Sequence, residues 1–186
     1  MDALKDQSVL VLGLGDSGLA MARWCARCGA QVTVADTREA PPQLQALREL
    51  VPSAQFVAGA LDASLVKSPL HAVLRSPGLS PGLIAPVLIA AQQAGARATT
   101  ELGLYADALK DLKADRGYEP RVLAVTGTNG KTTVTSLTGQ LVSRCGKAAA
   151  VAGNIGPTLL DTLAKHLDED KLPEVWVLEL SSFQLD

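Results

Sequence analysis

The chain has 186 residues, a formal net charge of −2, 47% hydrophobic residues and 19% charged residues. This balance is typical of a globular protein with one large or two small domains. The slight negative charge provides no basic field for a polyanion, so we expect no nucleic-acid partner. No apolar run reaches the ~18 residues that a membrane-spanning helix needs, so we also expect no membrane partner.

Residues 1–113 alternate short apolar strands with helices. Strands are predicted at 8–13, 31–35, 54–57, 71–75 and 97–100, and helices at 19–27, 41–50, 86–94 and 101–113. Alternation of this kind is typical of an α/β fold with a parallel sheet. We therefore predict a Rossmann-like domain over residues 1–113.

A glycine-rich turn, Gly13-Leu-Gly-Asp-Ser-Gly18, joins the first strand to the first helix. Its G-x-G-x-x-G spacing allows a tight turn and a close approach of the backbone to a ligand. Asp36 stands at the end of the next strand, where a carboxylate can accept a hydrogen bond from a nucleotide or a sugar hydroxyl. The pattern indicates a bound nucleotide and does not distinguish NAD from a UDP-sugar. A nucleotide-binding module without enzymatic activity is therefore an alternative.

The segment Ser76-Pro-Gly-Leu-Ser-Pro-Gly82 follows the strand at 71–75. Its two Ser-Pro-Gly turns predict a rigid loop at the carboxyl end of that strand, where open α/β sheets bind ligands. A plain turn before the helix at 86–94 is equally consistent with the sequence.

A polar segment with Gly and Pro, 114–120, is predicted to be a linker, and a second α/β domain is predicted at 121–186. Its strands are predicted at 121–125, 147–152 and 174–179, and its helices at 131–144 and 158–166. The apolar, β-branched residues of its first strand predict a strand buried within a parallel sheet. We expect the last strand to leave an apolar sheet edge exposed.

The stretch Thr126-Gly-Thr-Asn-Gly-Lys-Thr-Thr133 lies between the first strand and the first helix of the second domain. A helix N-terminus directs free N–H groups and a positive dipole at the turn, and Lys131 adds a charge for phosphate oxygens. The predicted ATP-binding residues are Gly127, Thr128, Asn129, Gly130, Lys131, Thr132 and Thr133. The strict P-loop pattern has a glycine where this chain has Val125, so a ligand-free glycine connection, a kinase and a GTPase are alternatives.

Glu179 is predicted at the carboxyl end of the last strand. There its carboxylate and the Thr132 hydroxyl can hold a magnesium ion that bridges the phosphates near Lys131. The alternative is an acid that caps a neighbouring backbone amide. Ser181 and Gln184 follow the strand and offer polar groups to a substrate.

The three cysteines, Cys25, Cys28 and Cys145, accompany an N-terminus without the features of a signal peptide. An odd number of cysteines in this context predicts reduced thiols in the cytoplasm.

Together these motifs resemble the Mur ligases of peptidoglycan synthesis, in the family's order and over the whole chain. The resemblance rests on Gly13–Gly18, Asp36–Arg38, Ser76–Gly78, Thr126–Thr133, Gly153-Asn-Ile-Gly156 and Glu179-Leu-Ser-Ser-Phe-Gln-Leu185. The last two motifs are similar to those of the branch that adds D-glutamate to UDP-N-acetylmuramoyl-L-alanine.

The resemblance implies that the first domain binds a uridine nucleotide rather than NAD. It assigns the substrate to Gly15, Asp16, Ser17, Asp36, Thr37, Arg38, Ser76, Pro77, Gly78, Asn154, Ser181 and Gln184. It also implies that ATP phosphorylates a substrate carboxylate and that the amino group of D-glutamate attacks the acyl phosphate. Lys131 and Glu179 are the implied catalytic residues, and Thr132 and Glu179 the implied Mg²⁺ ligands. Such a transfer depends on positioning and charge neutralisation rather than on a protein nucleophile.

The family's amino-acid-binding domain and second metal site have no counterpart in this sequence. We therefore expect this polypeptide to be a truncated portion of the enzyme, monomeric and inactive alone. Another Mur ligase, which adds a different amino acid, is an alternative because the acceptor site is not in the chain.

Overall fold

A computed structural model describes residues 4–154 and 156–185. The chain forms two compact units that divide between Leu104 and Tyr105. Within each unit every strand pairing is parallel, and helices connect successive strands. The predicted α/β class and the Rossmann-like first domain are confirmed.

The first unit holds a parallel sheet in the order β3-β2-β1-β4-β5. Its strands are Ser8–Leu12 (β1), Gln31–Asp36 (β2), Gln55–Ala58 (β3), Ala72–Arg75 (β4) and Arg97–Thr100 (β5). Its helices are Asp16–Arg27 (α1), Leu44–Leu50 (α2) and Pro81–Gln93 (α3), with a 3-10 turn at Ala63–Leu65. Because β1 lies at the centre of the order, the glycine turn that follows it opens at the middle of the sheet's carboxyl edge.

Apolar side chains of the sheet and of α3 form the core of this unit. Leu10, Leu12, Val73, Ile84 and Val87 each expose 1% or less of their surface and belong to one cluster. Burial of each such side chain stabilises the folded unit by about 1.5–3 kcal/mol. The close-packed core therefore holds the carboxyl ends of the strands in fixed positions.

Helix α3 begins five residues before its predicted start at 86. Ser80 is its N-cap and Pro81 lies in its first turn, where proline is favoured because its missing N–H has no helical partner. The second of the two predicted Ser-Pro-Gly turns is therefore the start of a helix. Only the first, Ser76-Pro-Gly78, is a loop at the end of β4.

The second unit contains a three-stranded parallel sheet in the order β6-β8-β7. Its strands are Arg121–Val125 (β6), Ala149–Gly153 (β7) and Val175–Glu179 (β8). Its helices are Lys131–Arg144 (α5), Leu159–Asp168 (α6) and Ser182–Leu185 (α7).

Two expectations about burial in this sheet were wrong. Strand β6 lies at an edge of the described sheet rather than in its interior, and Val122 and Leu123 expose 44% and 41% of their surface. Strand β8 is central, and all five of its residues are buried. Composition identifies an apolar strand but does not report how many neighbours cover it, and that number decides the burial of its side chains.

Helix α4, Glu101–Arg116, continues through the division between the units and ends three residues beyond its predicted end. Its buried side chains include Leu104, Tyr105 and Leu112. The predicted linker at 114–120 therefore comprises the last turn of α4 and four further residues. The domain boundary at 114–120 stays a prediction.

Candidate functional site

The predicted phosphate loop connects β6 to α5 and is open to solvent. Gly127 has φ +147° and Gly130 has φ +76°, backbone conformations that side chains other than glycine rarely adopt. A Cβ atom added at either glycine would meet no atom within 4 Å. The two glycines are therefore required by the backbone curve and not by protein packing, and the space inside the curve is available to an anion.

Lys131 opens α5 and turns back towards this loop. Its ammonium group donates hydrogen bonds to the carbonyl oxygens of Gly127, at 2.7 Å, and Thr128, at 3.4 Å. Gly130 is the N-cap of α5 and has no side chain to cap the helix, so the first N–H groups of the helix remain available. A positive charge and a helix N-terminus at one loop are the elements of a phosphate site.

Glu179 ends the central strand β8 beside this loop. In the parallel register it is opposite Val125 on one side and Gly153 on the other. Its side chain is 4% exposed, and its Oε1 atom forms no hydrogen bond with the described residues. The predicted position at the same sheet edge as the phosphate loop is confirmed.

An unpartnered buried carboxylate oxygen is costly, because the group has lost its water without gaining a donor. The backbone amide cap that the sequence allowed is not formed by Oε1. A cation would satisfy this oxygen, and a magnesium ion typically takes one or two carboxylates together with phosphate oxygens and water. No cluster of three or more His, Cys, Asp or Glu residues suits a metal within the described ranges, so Glu179 fits only a site of this kind.

The backbone around Glu179 is closely packed on the β7 side. The Asn154 N–H donates to the carbonyl oxygen of Glu179 at 2.8 Å. A Cβ added at Gly153, which has φ +134°, would lie 2.1 Å from that same oxygen. Gly153 therefore allows β7 to lie against the end of β8, while the exposed Asn154 side chain projects from this edge. Ile155, within the predicted motif, lies outside the described residues.

The glycine turn of the first unit is packed against itself. A Cβ on Gly18 would lie 2.0 Å from the carbonyl oxygen of Gly13. That oxygen accepts a hydrogen bond from the buried Ser76 hydroxyl at 3.1 Å. Gly15, in contrast, has no atom within 4 Å of an added Cβ, so the middle of the turn is the part that a ligand can approach.

Asp36, at the end of β2, is saturated by hydrogen bonds from its own chain. The Leu14 N–H and the Arg38 Nη2 group donate to Oδ2 at 2.7 and 2.8 Å. The Arg38 N–H and Nε group donate to Oδ1 at 3.0 and 2.8 Å. The Arg38 side chain, and secondarily the Leu14 N–H, lower the pKa of Asp36 to about 2, against the opposing effect of burial.

A carboxylate has about four lone-pair sites, and those of Asp36 are taken. The acid therefore braces the glycine turn through Leu14 and leaves no acceptor for a ribose hydroxyl. This arrangement disfavours the NAD hypothesis, which depends on that acceptor. The sequence analysis did not predict the Leu14 N–H as a partner of Asp36, because a pattern of side-chain types does not show which backbone amide a carboxylate will contact.

The remaining predicted residues of the first unit lie at or after the ends of three neighbouring strands. Asp16 accepts a hydrogen bond from Gln43 Nε2 at 2.7 Å. Gly15, Ser17 and Pro77 are half-buried, and Thr37 and Gly78 are exposed. All of them follow β1, β2 or β4, which are neighbours in the sheet.

Ser181 and Gln184 bind each other. The Gln184 amide oxygen accepts hydrogen bonds from the Ser181 N–H at 2.9 Å and from the Ser181 hydroxyl at 3.1 Å. The two residues are therefore brought together directly after β8, with the acceptor of Gln184 already in use.

Sequence reasoning also missed Thr135. Its side chain is 2% exposed, and its Oγ1 atom has no hydrogen-bond partner within residues 4–154 and 156–185. The available signal was its spacing, because a residue four positions after Lys131 lies on the same face of the helix.

The three cysteines lie in the described part of the chain, and none forms a disulfide. Burial, with a smaller effect of Cys28, raises the pKa of the Cys25 thiol to about 12. This thiol is therefore protonated at neutral pH and unreactive. Across residues 4–154 and 156–185, no helix combines the length and apolarity required to span a membrane.

Both units are similar to parts of known proteins. Residues 7–100 match the MurD-like N-terminal domain of Mur ligases, and residues 125–186 match the Mur ligase middle domain. A UDP-N-acetylmuramoylalanine--D-glutamate ligase of Albidiferax ferrireducens is 68% identical over 187 residues, which cover 100% of this chain and 37% of that protein. The protein of the same name from Ralstonia nicotianae is 57% identical over 180 residues, 96% of this chain and 36% of its own length.

The chain thus spans a little over a third of the length of these two relatives. A solved structure is also similar, that of UDP-N-acetylmuramate:L-alanyl-gamma-D-glutamyl-meso-diaminopimelate ligase from Neisseria meningitides. Its TM-score is 0.50 at 16% identity, and the match covers 95% of this chain and 52% of that one. At this identity the likeness concerns the fold alone.

Proposed function

The chain belongs to the Mur ligase family, and on that basis we propose that it provides the substrate-nucleotide and ATP sites of an ATP-dependent ligase. The ligase joins D-glutamate to UDP-N-acetylmuramoyl-L-alanine during peptidoglycan precursor synthesis. The names of relatives that are 68% and 57% identical support this choice of substrates. The observation that carries the ATP site is the open, lysine-bearing loop at the same sheet edge as the unpartnered Glu179 oxygen.

The reaction proceeds in two transfers. The alanine carboxylate attacks the γ-phosphorus of ATP, which forms an acyl phosphate and releases ADP. The amino group of D-glutamate then attacks the acyl carbon, and inorganic phosphate leaves as the amide bond forms and the amine loses a proton. The first transfer makes a good leaving group from a poor one, so the protein's task is to position the reactants and neutralise charge.

In the proposed ATP site, Lys131 exchanges its contacts with the Gly127 and Thr128 carbonyls for the β- and γ-phosphate oxygens. The N–H groups of the loop and of the start of α5, from Gly127 to Thr133, hold the phosphates. Glu179 and the exposed Thr132 hydroxyl are the ligands for Mg²⁺, and the orphaned Glu179 oxygen is the observation that fits this role. When bound, the ion withdraws charge from the transferring phosphate.

The first unit binds the UDP part of the substrate in this proposal. Gly15, Asp16, Ser17, Thr37 and Arg38 hold the uridine end, with Asp36 orienting Arg38, and Ser76, Pro77 and Gly78 serve the diphosphate. In the second unit, Asn154, Ser181 and Gln184 are further proposed substrate-binding residues. Arg38 suits this role because its side chain is half-exposed while two of its nitrogens are fixed by Asp36. The protein acts in the cytoplasm as a monomer, without membrane or nucleic-acid partners.

A chimera tests the proposed activity. Residues 1–186 of this chain replace the matching 187 residues of the Albidiferax ferrireducens relative, and ADP release is measured with UDP-N-acetylmuramoyl-L-alanine and each candidate amino acid. We expect release that depends on D-glutamate and is lost in the Lys131→Ala chimera. A folded chimera without turnover, or one that prefers L-alanine or a diamino acid, would overturn the proposal.

Binding to the chain itself tests the nucleotide assignment. We expect UDP-N-acetylmuramoyl-L-alanine to bind and NAD not to bind, because Asp36 has no free acceptor for a ribose hydroxyl. NAD binding without uridine binding would favour a different nucleotide-binding module.

A further inference from the structure

The buried face of α5 holds a second polar atom without a partner. Thr135 Oγ1 and Glu179 Oε1 are both buried, and neither forms a hydrogen bond with the described residues. An unsatisfied buried hydroxyl or carboxylate is rare in folded proteins, since each loses its water. A third such atom of this unit, Tyr105 Oη, belongs to a ring that packs against Trp176, so the question is whether Thr135 and Glu179 serve each other.

The alternation of side chains along β8 shows which face Glu179 occupies. The Trp176 ring lies 5.7 Å from the ring of His166, which belongs to α6, so even-numbered residues of β8 face α6. Odd-numbered residues face the opposite side of the sheet. Glu179 is odd-numbered, and it therefore faces away from α6.

Helix α5 covers that opposite side. A Cβ added at Gly139 of α5 would lie 2.5 Å from Val151 Cγ2, so Val151 of β7 faces this helix. Val151 is in register with Val177 of β8, and paired residues of parallel strands project to the same face. Val177 and Glu179 are two residues apart, so both face α5.

Thr135 and Glu179 also lie at the same distance along the strand direction from the carboxyl edge of the sheet. Helix α5 starts at the carboxyl edge of the sheet and runs back along it. Thr135 precedes Gly139 by four helical residues, a rise of about 6 Å towards that edge. Glu179 follows Val177 by two strand residues, a rise of about 6.6 Å in the same direction. Gly139 lies at the level of Val151 and Val177, so Thr135 lies at the level of Glu179.

We propose that Thr135 is a positioning residue for Glu179. Its hydroxyl donates a hydrogen bond to a bridging water molecule, which in turn donates to the Glu179 carboxylate and holds it towards the phosphate loop. This role rests on the proposed function of Glu179 as a Mg²⁺ ligand. Residues behind a metal ligand commonly fix its orientation, and their loss weakens metal binding by about 10- to 100-fold.

The first measurement is the Mg²⁺ concentration required for ATP binding by the full chain. Thr135→Val keeps the shape of the side chain and removes the hydroxyl, and we expect it to raise that concentration about 10-fold or more. Thr135→Ser restores the hydroxyl and should remain within about twofold of wild type. Thr138→Val removes a half-buried hydroxyl one turn further from the sheet edge and should change nothing.

The second measurement requires neither nucleotide nor metal. Denaturation midpoints are compared for wild type, Thr135→Val, Glu179→Gln and the double variant. If the two side chains interact, the effect of Thr135→Val depends on whether residue 179 is Glu or Gln. We expect a clear difference between the two backgrounds.

The two measurements separate the possible failures. Additive shifts of the denaturation midpoint would overturn the pairing of Thr135 with Glu179, whatever the nucleotide data show. Coupled midpoints with an unchanged Mg²⁺ requirement would overturn the positioning role. A wild-type chain that binds no ATP would contradict the proposed ATP site, while the midpoints would still decide the pairing.

Discussion

Asp36 and Glu179 occupy equivalent places in two parallel sheets and have opposite environments. Each is an acid at the carboxyl end of a strand beside a glycine-rich turn, and the two side chains are 3% and 4% exposed. Asp36 accepts four hydrogen bonds from Leu14 and Arg38. Glu179 has an oxygen that no described residue satisfies.

The glycine-rich turns beside the two acids also differ, because one is packed against protein atoms and the other is open. The first is closed, with Gly13, Gly18 and Ser76 in contact, whereas Gly127 and Gly130 of the second are surrounded by open space. A carboxylate whose oxygens all accept hydrogen bonds from the protein stabilises the fold. A carboxylate with an oxygen that accepts none remains available to a ligand. The position of an acid at a strand end therefore does not specify its role; the remaining hydrogen-bond capacity does.

The largest effect is expected from Lys131→Ala, which removes the charge of the open loop. Loss of a hydrogen bond from a charged group costs about 1.5–3 kcal/mol, so ATP affinity should fall about 10- to 150-fold. Calorimetric titration measures this change. Lys147→Ala is the matched control, because Lys147 pairs with Glu174, the residue before β8. Equal losses in both variants would contradict a specific role for Lys131.

The closed turn should be sensitive to one methyl group at a specific glycine. Gly18→Ala places a Cβ 2.0 Å from the Gly13 carbonyl oxygen, and we expect it to lower the free energy of unfolding by about 3 kcal/mol. Gly15→Ala, with open space around its Cβ, should change stability by less than about 1 kcal/mol. Chemical denaturation compares the two, and similar losses would argue against a self-packed turn.

Neutralising each acid should separate the two environments. Asp36→Asn loses the pairing with Arg38 that holds the Asp36 pKa at about 2, so the free energy of unfolding should fall by about 2 kcal/mol. Glu179→Gln removes a buried charge with an unsatisfied oxygen, so stability should stay the same or rise by up to about 1 kcal/mol. Thermal unfolding without ligand provides both values. A stability loss in Glu179→Gln equal to that in Asp36→Asn would contradict the difference in hydrogen bonding between the two acids.

The smallest effect is a pH dependence limited to acid. The pKa of Asp36 is lowered from 3.8 to about 2 by folding, so its contribution to stability is complete above pH ~4 and is lost as the pH falls towards ~2. Wild type should therefore lose stability between these values more steeply than Asp36→Asn. Parallel pH profiles for the two proteins would show that Asp36 does not have this depressed pKa in the folded chain.

Both glycine turns followed from local signals in the sequence. Apolar runs and glycine spacing identified β1, the Gly13–Gly18 turn and the Lys131 loop, and the placement of Glu179 followed from the geometry of parallel strands. The start of α3 was predicted five residues too late, because Ser-Pro-Gly marks a turn and a helix start equally well.

The parts that could not be predicted are decided by contacts between distant residues. The exposure of β6 depends on how many strands lie beside it, and the saturation of Asp36 depends on a backbone N–H of Leu14, 22 positions away. The burial of the Thr135 hydroxyl depends on how α5 lies on the sheet. Residue types and spacing alone contain none of this information.

The central claim is that Glu179, and not Asp36, completes its bonding with a ligand cation. Calorimetric titration of ATP into wild type, Asp36→Asn and Glu179→Gln, each with and without Mg²⁺, tests it most directly. We expect Mg²⁺ to strengthen ATP binding to wild type and to Asp36→Asn and to have little effect on Glu179→Gln. Full Mg²⁺ dependence in Glu179→Gln, or its loss in a folded Asp36→Asn, would contradict the assignment of the cation to the second unit.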